Sequence, residues 1–272
     1  MRVGVVGATS RLGQCAVEAL AEHEVVPLLR RPDALPGARR LDLGDPTGMG
    51  EALAGLEVVV SVAGAPIVPW PVLPRVTFEG IDRDGHRALG VAAAHQGVRR
   101  VVYVSVFGDG MEHLAYVRAH HEAEAALQEA VPEVVAVRPV GLFGAFDQLV
   151  PMARLGLGFD LQGGQARTNP VSERDLAAVL AQAVVDEAPA GVQAVGGPDV
   201  LTRAQIWDLA FAAQGRGGVH LPSHPALLTA SAHALRLVDR RAADVLDFLR
   251  CILTHDGIAP QVGAERLADY WA

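Results

Sequence analysis

The chain predicts an α/β fold: a doubly wound parallel sheet with a smaller, mostly helical C-terminal lobe. Three observations predict it. Short valine-rich runs alternate with Ala/Leu-rich periodic segments through the first half. The runs are almost continuously apolar, as strands covered on both faces must be. The first run passes directly into a small-residue turn and then into a helical pattern.

In chain order, strands are expected at 2–6, 24–29, 39–41, 58–62, 100–104 and 134–138, each Val/Leu-rich or bounded by turn residues. Helices are expected between them, at 14–22, 47–54, 81–96 and 116–129. After Pro139 the pattern changes to Gly-rich loops around Gly156, Gly158, Gly163 and Gly164. Ser172, with Asp175 at the box position, opens a helix, and 192–195 reads as one more strand. Thr202 and Gln205 form a second capping box, and from Pro225 onward the chain is mostly helical. The division expected is 1–140 for the sheet domain and 141–272 for a lobe partly interleaved with it.

Half of the 272 residues are apolar, enough for a sizeable core. A net charge of −8 without a long charge run argues against nucleic acid as a partner. Cys15 and Cys251 lack metal or redox spacing, and a reducing cytosol is the expected compartment. No basic segment precedes a long apolar stretch, so no secretory signal is expected. The longest apolar region, 56–70, is broken by Gly64, Pro66 and Pro69 and reads as strand and loop, not a membrane span. All 23 cationic side chains are arginine, which excludes any mechanism that needs a lysine.

Strand, glycine turn and helix over 2–21 is the setting in which a glycine motif means dinucleotide binding. Gly7 and Gly13 occupy the first and third places of Gly7-Ala8-Thr9-Ser10-Arg11-Leu12-Gly13, and Ser10 stands where a middle glycine is usual. Its Cβ narrows the approach to a pyrophosphate, and its hydroxyl can donate to a phosphate oxygen. The bland alternative is a bare strand-to-helix turn. The second strand ends in Arg30-Arg31, with no acid to accept from a ribose 2′-hydroxyl, and Arg11 is placed to close on the same group. Guanidinium forks suit a 2′-phosphate, so NADP is favoured over NAD; a solvated surface pair is the other reading. Asp42 could accept from an adenine amino group while the Leu43 amide donates to the ring, or Asp42 could simply close a turn before Gly44-Asp45-Pro46. Ser61, Ala63 and Gly64 follow the fourth strand at the ligand-binding edge of such sheets, Gly64 allowing close approach to a ribose.

Gly-Ala-Thr-Ser-Arg-Leu-Gly, Arg30, Leu41-Asp42-Leu43, Val101-Val102-Tyr103-Val104-Ser105, Arg138-Pro139, the 169–177 segment and Val195-Gly196-Gly197-Pro198 together resemble the atypical short-chain dehydrogenase/reductases. Within these, the chain is most similar to the NmrA-like NAD(P)-binding proteins. The resemblance covers nearly the whole chain. It implies a Rossmann fold and a cofactor set of Gly7, Thr9, Ser10, Arg11, Leu12, Gly13, Arg30, Arg31, Asp42, Leu43, Ser61, Ala63, Gly64 and Pro139. It leaves the substrate open, since the group holds reductases of apolar or aromatic compounds and inactive NADP-sensing regulators.

Active members often use Ser, Tyr and Lys. Ser105 fits the serine place and Tyr116 the tyrosine place, while His120 stands where lysine would be. A neutral histidine stabilises a phenolate less well than a lysine does. Some NmrA-like reductases carry His-x-x-x-Glu here, which His120 and Glu124 match, so Glu124 could orient the imidazole. The bland readings are a tyrosine packed beside the cofactor and a polar helix face at 120–124. His113, His120, His121 and Glu124 lack metal-ligand spacing, and no metal is expected. Pro66, Ile67, Val68, Trp70, Leu73, Phe107, Leu142, Phe143 and Phe146 all follow strand ends and should wall an apolar pocket. The expected function is an NADP-dependent reductase of a small apolar or aromatic substrate, cytoplasmic, with no nucleic-acid or membrane partner and a homodimer as the one assembly considered. The alternatives are an inactive NADP(H) sensor acting through a protein partner, and a nucleotide-sugar epimerase, a class that is usually longer and keeps the lysine.

Overall fold

In β1 (Arg2–Val6), Val3 and Val5 face one side of a sheet and Val6 the other. That period-two alternation recurs in β4 (Val58–Ser61), β5 (Arg100–Val104) and β6 (Glu133–Pro139), with apolar residues on both faces, because helices cover both. The structure, a computed structural model, describes residues 1–68, 76–185 and 189–272. With β2 (Glu24–Leu29), β3 (Arg39–Arg40) and β9 (Gly191–Val195) the strands form a seven-stranded sheet in the order β3-β2-β1-β4-β5-β6-β9. Every pairing in it is parallel. The winding direction reverses between β1 and β4, and the crevice there is where open α/β sheets bind ligands.

One face is covered by α1 (Arg11–Ala19) and α7 (Glu173–Val184), which put Ala16, Leu176 and Leu180 against Val3, Val58, Val102 and Val135. The other carries α2 (Met49–Leu53), α3 (His86–His95) and α4 (Ala115–Ala130), whose Leu53, Leu89 and Leu127 meet Val59, Val101 and Val134. The helix expected at 14–22 begins at Arg11 instead, because the Ser10 side chain caps it by accepting from the Gly13 N–H. The continuous helix expected over 81–96 is wound as a π-helix over Glu79–Gly85 before α3 begins. Gly85 lies against Leu43 there, where a Cβ would come within 2.6 Å of the Leu43 carbonyl oxygen.

Both α7 and β9 lie beyond residue 140 yet belong to the main sheet and its cover. Between and after them the chain builds the lobe. Helices α5 (Phe143–Phe146), α6 (Val150–Leu155), α8 (Arg203–Ala213) and α11 (Leu267–Tyr270) share small cores around Ile206, Trp207 and Phe211. Two two-stranded sheets, which alternation did not reveal, pair β7 (Leu157–Leu161) with β11 (Val219–Ser223) and β8 (Arg167–Thr168) with β10 (Leu201–Thr202). The Thr202–Gln205 capping box opens α8 as expected. At Ser172 only half a box forms. Its hydroxyl accepts from the Asp175 N–H, but the Asp175 carboxylate turns away to accept from Ala264 and Glu265. The hairpin of α9 (Pro225–Leu235) and α10 (Arg240–Thr254) returns to the main domain.

In the lobe, His220 is held between two carboxylates, Nδ1 at 2.7 Å from Asp160 and Nε2 at 2.9 Å from Asp208, with Phe211 edge-on to the ring. Those hydrogen bonds, Asp208 first and then Asp160, raise its pKa above 6.5. A pKa higher in the folded than in the unfolded chain adds stability that is complete below the unfolded value and is lost as pH rises through the folded one. The melting temperature of the wild type minus that of His220→Gln is therefore expected to be largest below pH 6.5 and to shrink as pH rises above it. A difference constant from pH 5.5 to 8.5 contradicts this clamp.

Candidate functional site

Gly7 ends β1 with φ +87°, a conformation that favours glycine, and a Cβ there would meet the Ala63 Cβ at 3.1 Å and its N at 3.2 Å. The turn thus opens directly on the segment after β4, in the crevice where the sheet reverses. Gly13 packs the start of α1 on the same turn, with room for no side chain: a Cβ would stand 2.7 Å from the Ala8 Cα. The main-chain N–H groups of Arg11 and Leu12, at the N-terminus of α1, have no hydrogen-bond acceptor among the described residues. Two free donors, a positive helix end and a glycine-lined approach fit a pyrophosphate.

The Ser10 hydroxyl is already used within the turn, donating to the Gly7 carbonyl at 2.9 Å and accepting from Gly13 at 3.0 Å. The expectation that it faces a phosphate is corrected accordingly. Thr9 is exposed, and its carbonyl accepts from Gln14. Arg11 does not join Arg30. Its guanidinium pairs with Asp147 at 2.8 Å and lies 5.5 Å from the Tyr270 ring centroid, so it ties the turn to the lobe. Leu12 is buried in the sheet cover. Arg30 and Arg31 are exposed at the end of β2, and their side chains make no ion pair or hydrogen bond among the described residues. Asp42 closes a turn with Oδ1 accepting from Gly44 at 2.9 Å, and Leu43 is buried beside it. Pro139, at the end of β6, accepts from Phe107.

At the ends of β4 and β5 lies a buried polar group. Ser61 is fully buried and bonded to His86 Nε2 at 2.9 Å, so its side chain faces inward, away from the crevice. His86 Nδ1–H donates to the Asp82 carbonyl, which leaves Nε2 to accept from Ser61; burial pushes the His86 pKa down to about 4. Gly64 is exposed, with Asp82 directly behind it: a Cβ on Gly64 would stand 2.8 Å from Asp82 Oδ1. His120 is buried, with Nδ1 2.5 Å from the Tyr103 hydroxyl and Nε2 3.8 Å from Asp82, and burial pushes its pKa down to about 3. The polar helix face expected at 120–124 is thus corrected, since His120 and Glu124 both point into the protein.

Glu124 does not orient His120. It accepts from the Ser105 hydroxyl and from Arg138, whose Nε and Nη2 fork onto its two oxygens at 2.8 and 2.7 Å. A planar cation on the neighbouring strand outcompetes a neutral imidazole for a carboxylate. The Ser105 hydroxyl is therefore committed to Glu124. The Tyr116 ring sits among Phe78, His120 and Phe248, with centroids 4.7–5.0 Å away, and burial raises its pKa. Its hydroxyl makes no hydrogen bond among the described residues. Of the three expected chemical groups, only Tyr116 keeps an uncommitted hydroxyl.

The apolar wall is differently composed than expected. Ile67 packs on the Phe78–Tyr116 cluster, whereas Leu142 joins the main core and Phe143 and Phe146 the lobe core. Trp70 and Leu73 lie outside the described residues. Phe78, Val245 and Phe248 take their place, and Arg241 of α10 fixes the adjacent segment by donating to the Pro66 and Val68 carbonyls. Asp82 and His86 were missed, although a signal exists: they fall at i and i+4 on the stripe continued by Leu89 and Ala93, so two polar residues ride an apolar face.

With this geometry in hand, comparison with known proteins defines the class. Residues 7–187 match the NAD(P)H-binding family, and the chain belongs to that family. Among curated proteins it is 32% identical to ceramide reductase of Caulobacter vibrioides over 157 residues, 53% of this chain and 47% of that one. It is 26% identical to the mitochondrial NADH dehydrogenase [ubiquinone] 1 alpha subcomplex subunit 9 of Arabidopsis thaliana, over 76% of this chain and 56% of that one. The chain spans about half the length of these curated relatives. Similar folds include the NADPH-dependent quinone oxidoreductase QOR2 of Escherichia coli (TM-score 0.74, 20% identity, 99% and 98% of the two chains). The triphenylmethane reductase of Citrobacter sp. is similar too (TM-score 0.72, 16% identity, 93% and 90%). No helix among the described residues is long and apolar enough to cross a membrane.

Proposed function

We propose that the chain is an NADP(H)-dependent reductase of a small apolar or aromatic substrate, of the NmrA-like type. Residues 1–140, completed by α7 and β9, form the cofactor half, and the rest of 141–272 forms the substrate lobe. The Gly7 turn and the N–H groups of Arg11 and Leu12 hold the pyrophosphate, Arg30 and Arg31 the 2′-phosphate, Asp42 and Leu43 the adenine. Ala63, Gly64 and Pro139 shape the nicotinamide end. When bound, the cofactor supplies the hydride.

The observation that carries this reading is Tyr116: an uncommitted hydroxyl on an aromatic ring walled by Phe78 and Phe248, beside the crevice. It polarises the substrate, while His120, neutral and bonded to Tyr103, holds the ring edge-on. Ceramide reductase and the quinone and triphenylmethane reductases support the class, each being a reductase or oxidoreductase by name. The test is NADPH consumption with quinones, enones, imines and dyes. Turnover of at least one supports the reading. Tight NADPH binding with no turnover favours the NADP(H) sensor, which the absence of lysine already recommends as the second reading.

The arginine pair yields a prediction on affinity. NADPH is expected to bind more tightly than NADH, and Arg30→Ala to reduce that preference by roughly tenfold, the scale of one exposed charge-assisted phosphate contact. Fluorescence titration of both cofactors measures it. Equal affinities in the wild type refute the NADP assignment, and a preference untouched by Arg30→Ala moves the role to Arg31.

A further inference from the structure

Asp82 has no part in the reading above, yet it stands immediately behind Gly64. Its side chain has no exposed surface. Oδ1 accepts from the Ala65 N–H at 2.9 Å, and Oδ2 is sealed with no hydrogen-bond partner among the described residues. Among the described residues, the groups around it offer no compensating charge. His120, from α4, is 3.8 Å away and kept neutral by burial, as is His86 on the helix that follows. The phenols of Tyr103 from β5 and Tyr116 from α4 are neutral, their pKa values raised by burial. On its own helix Glu79 adds repulsion, while Arg83 is engaged with Asp84 and Glu122. Burial accordingly pushes Asp82 up to about 7, so at neutral pH the carboxyl is poised between its two forms. Holding Ala65 does not call for an acid, since an amide oxygen accepts the same N–H.

We propose that Asp82 makes this site discriminate between the oxidised and reduced forms of the nicotinamide cofactor, ionising with the cationic oxidised ring and staying protonated with the uncharged reduced one. The inference rests on the cofactor reading above. Gly64 lies against the carboxyl, a Cβ there standing 2.8 Å from Oδ1, and it carries no side chain to screen the charge. Proton and charge balance simply: the oxidised form displaces the Asp82 proton to solvent and leaves a carboxylate beside a cation, and the reduced form displaces none. An opposite charge within several ångströms lowers a carboxyl pKa by about 1–3 units, which converts to roughly ten- to a thousand-fold in the limiting affinity ratio.

The experiment is calorimetric titration of NADP+ and of NADPH at pH 7 in two buffers of different ionisation heat, which counts protons. Ionisation of the 2′-phosphate contributes alike to both cofactors, so the difference between them is the readout. The wild type is expected to release more protons with NADP+ than with NADPH, as a buried carboxyl that carries a proton must when it ionises beside a cation. The NADP+ preference should also rise about tenfold from pH 6 to pH 8. In Asp82→Asn, which keeps the bond to Ala65, both effects should vanish. Equal proton counts in the wild type, or a difference that survives in Asp82→Asn, overturn the inference while cofactor binding stands. Failure of either form to bind overturns the cofactor reading and this inference with it.

Discussion

Gly7→Val is expected to abolish NADPH binding while leaving the far-UV circular dichroism unchanged. The residue sits at φ +87°, where a β-branched side chain is strained, and its Cβ would already touch the Cβ, N and Cα of Ala63 at 3.1–3.3 Å. The γ-methyls would then fill the crevice between the ends of β1 and β4. The strain costs about 1–3 kcal/mol of stability, which a domain of this size can absorb. The loss of affinity should be on the order of a hundredfold or more, equivalent to about 2.7 kcal/mol. Calorimetric titration beside circular dichroism reads both, and Gly7→Ala, with the same strain and a smaller obstruction, serves if the valine variant fails to fold. Normal binding by a folded Gly7 variant means that the phosphate site lies elsewhere.

The largest effect on stability is expected from Arg138→Met. Removing the guanidinium leaves Glu124, 3% exposed, as a buried carboxylate whose remaining partner is Ser105. Breaking a buried pair from one side costs about 3–5 kcal/mol, because the surviving charge keeps its desolvation penalty. For a chain of this length that lowers the melting temperature on the order of 10 °C. Removing both charges in Glu124→Gln with Arg138→Met should recover more than half of the loss. Thermal unfolding of the two single variants and the double variant measures the coupling, and strictly additive effects contradict it.

The strands at 2–6, 24–29 and 100–104 begin and end where composition places them, because both faces are covered and the apolar run therefore equals the strand. The Gly7 turn was legible for a related reason: its constraint is local, set by φ and by the residue six positions on. Side-chain partners were not legible. Glu124 lies four residues from His120 on one helix, yet Arg138, reached only by strand pairing, captures it. Arg11 stands four residues from Gly7, but its partner Asp147 is 136 positions away in the lobe. Asp82 escaped notice because a carboxylate in a helical stretch reads as solvent-facing, and only the packing of β4, β5 and α4 around it makes it buried. The small sheets β7–β11 and β8–β10 were hidden by their Gly-rich flanks and by strands of two to five residues.

The cofactor crevice is tested most directly by a crystal structure of the chain with NADP+ bound. The pyrophosphate is expected against the Gly7 turn and the N–H groups of Arg11 and Leu12, the 2′-phosphate against Arg30 or Arg31, and the nicotinamide over Gly64 beside Tyr116. A 2′-phosphate out of reach of both arginines, or a nicotinamide lying away from Gly64 and Tyr116, contradicts this placement.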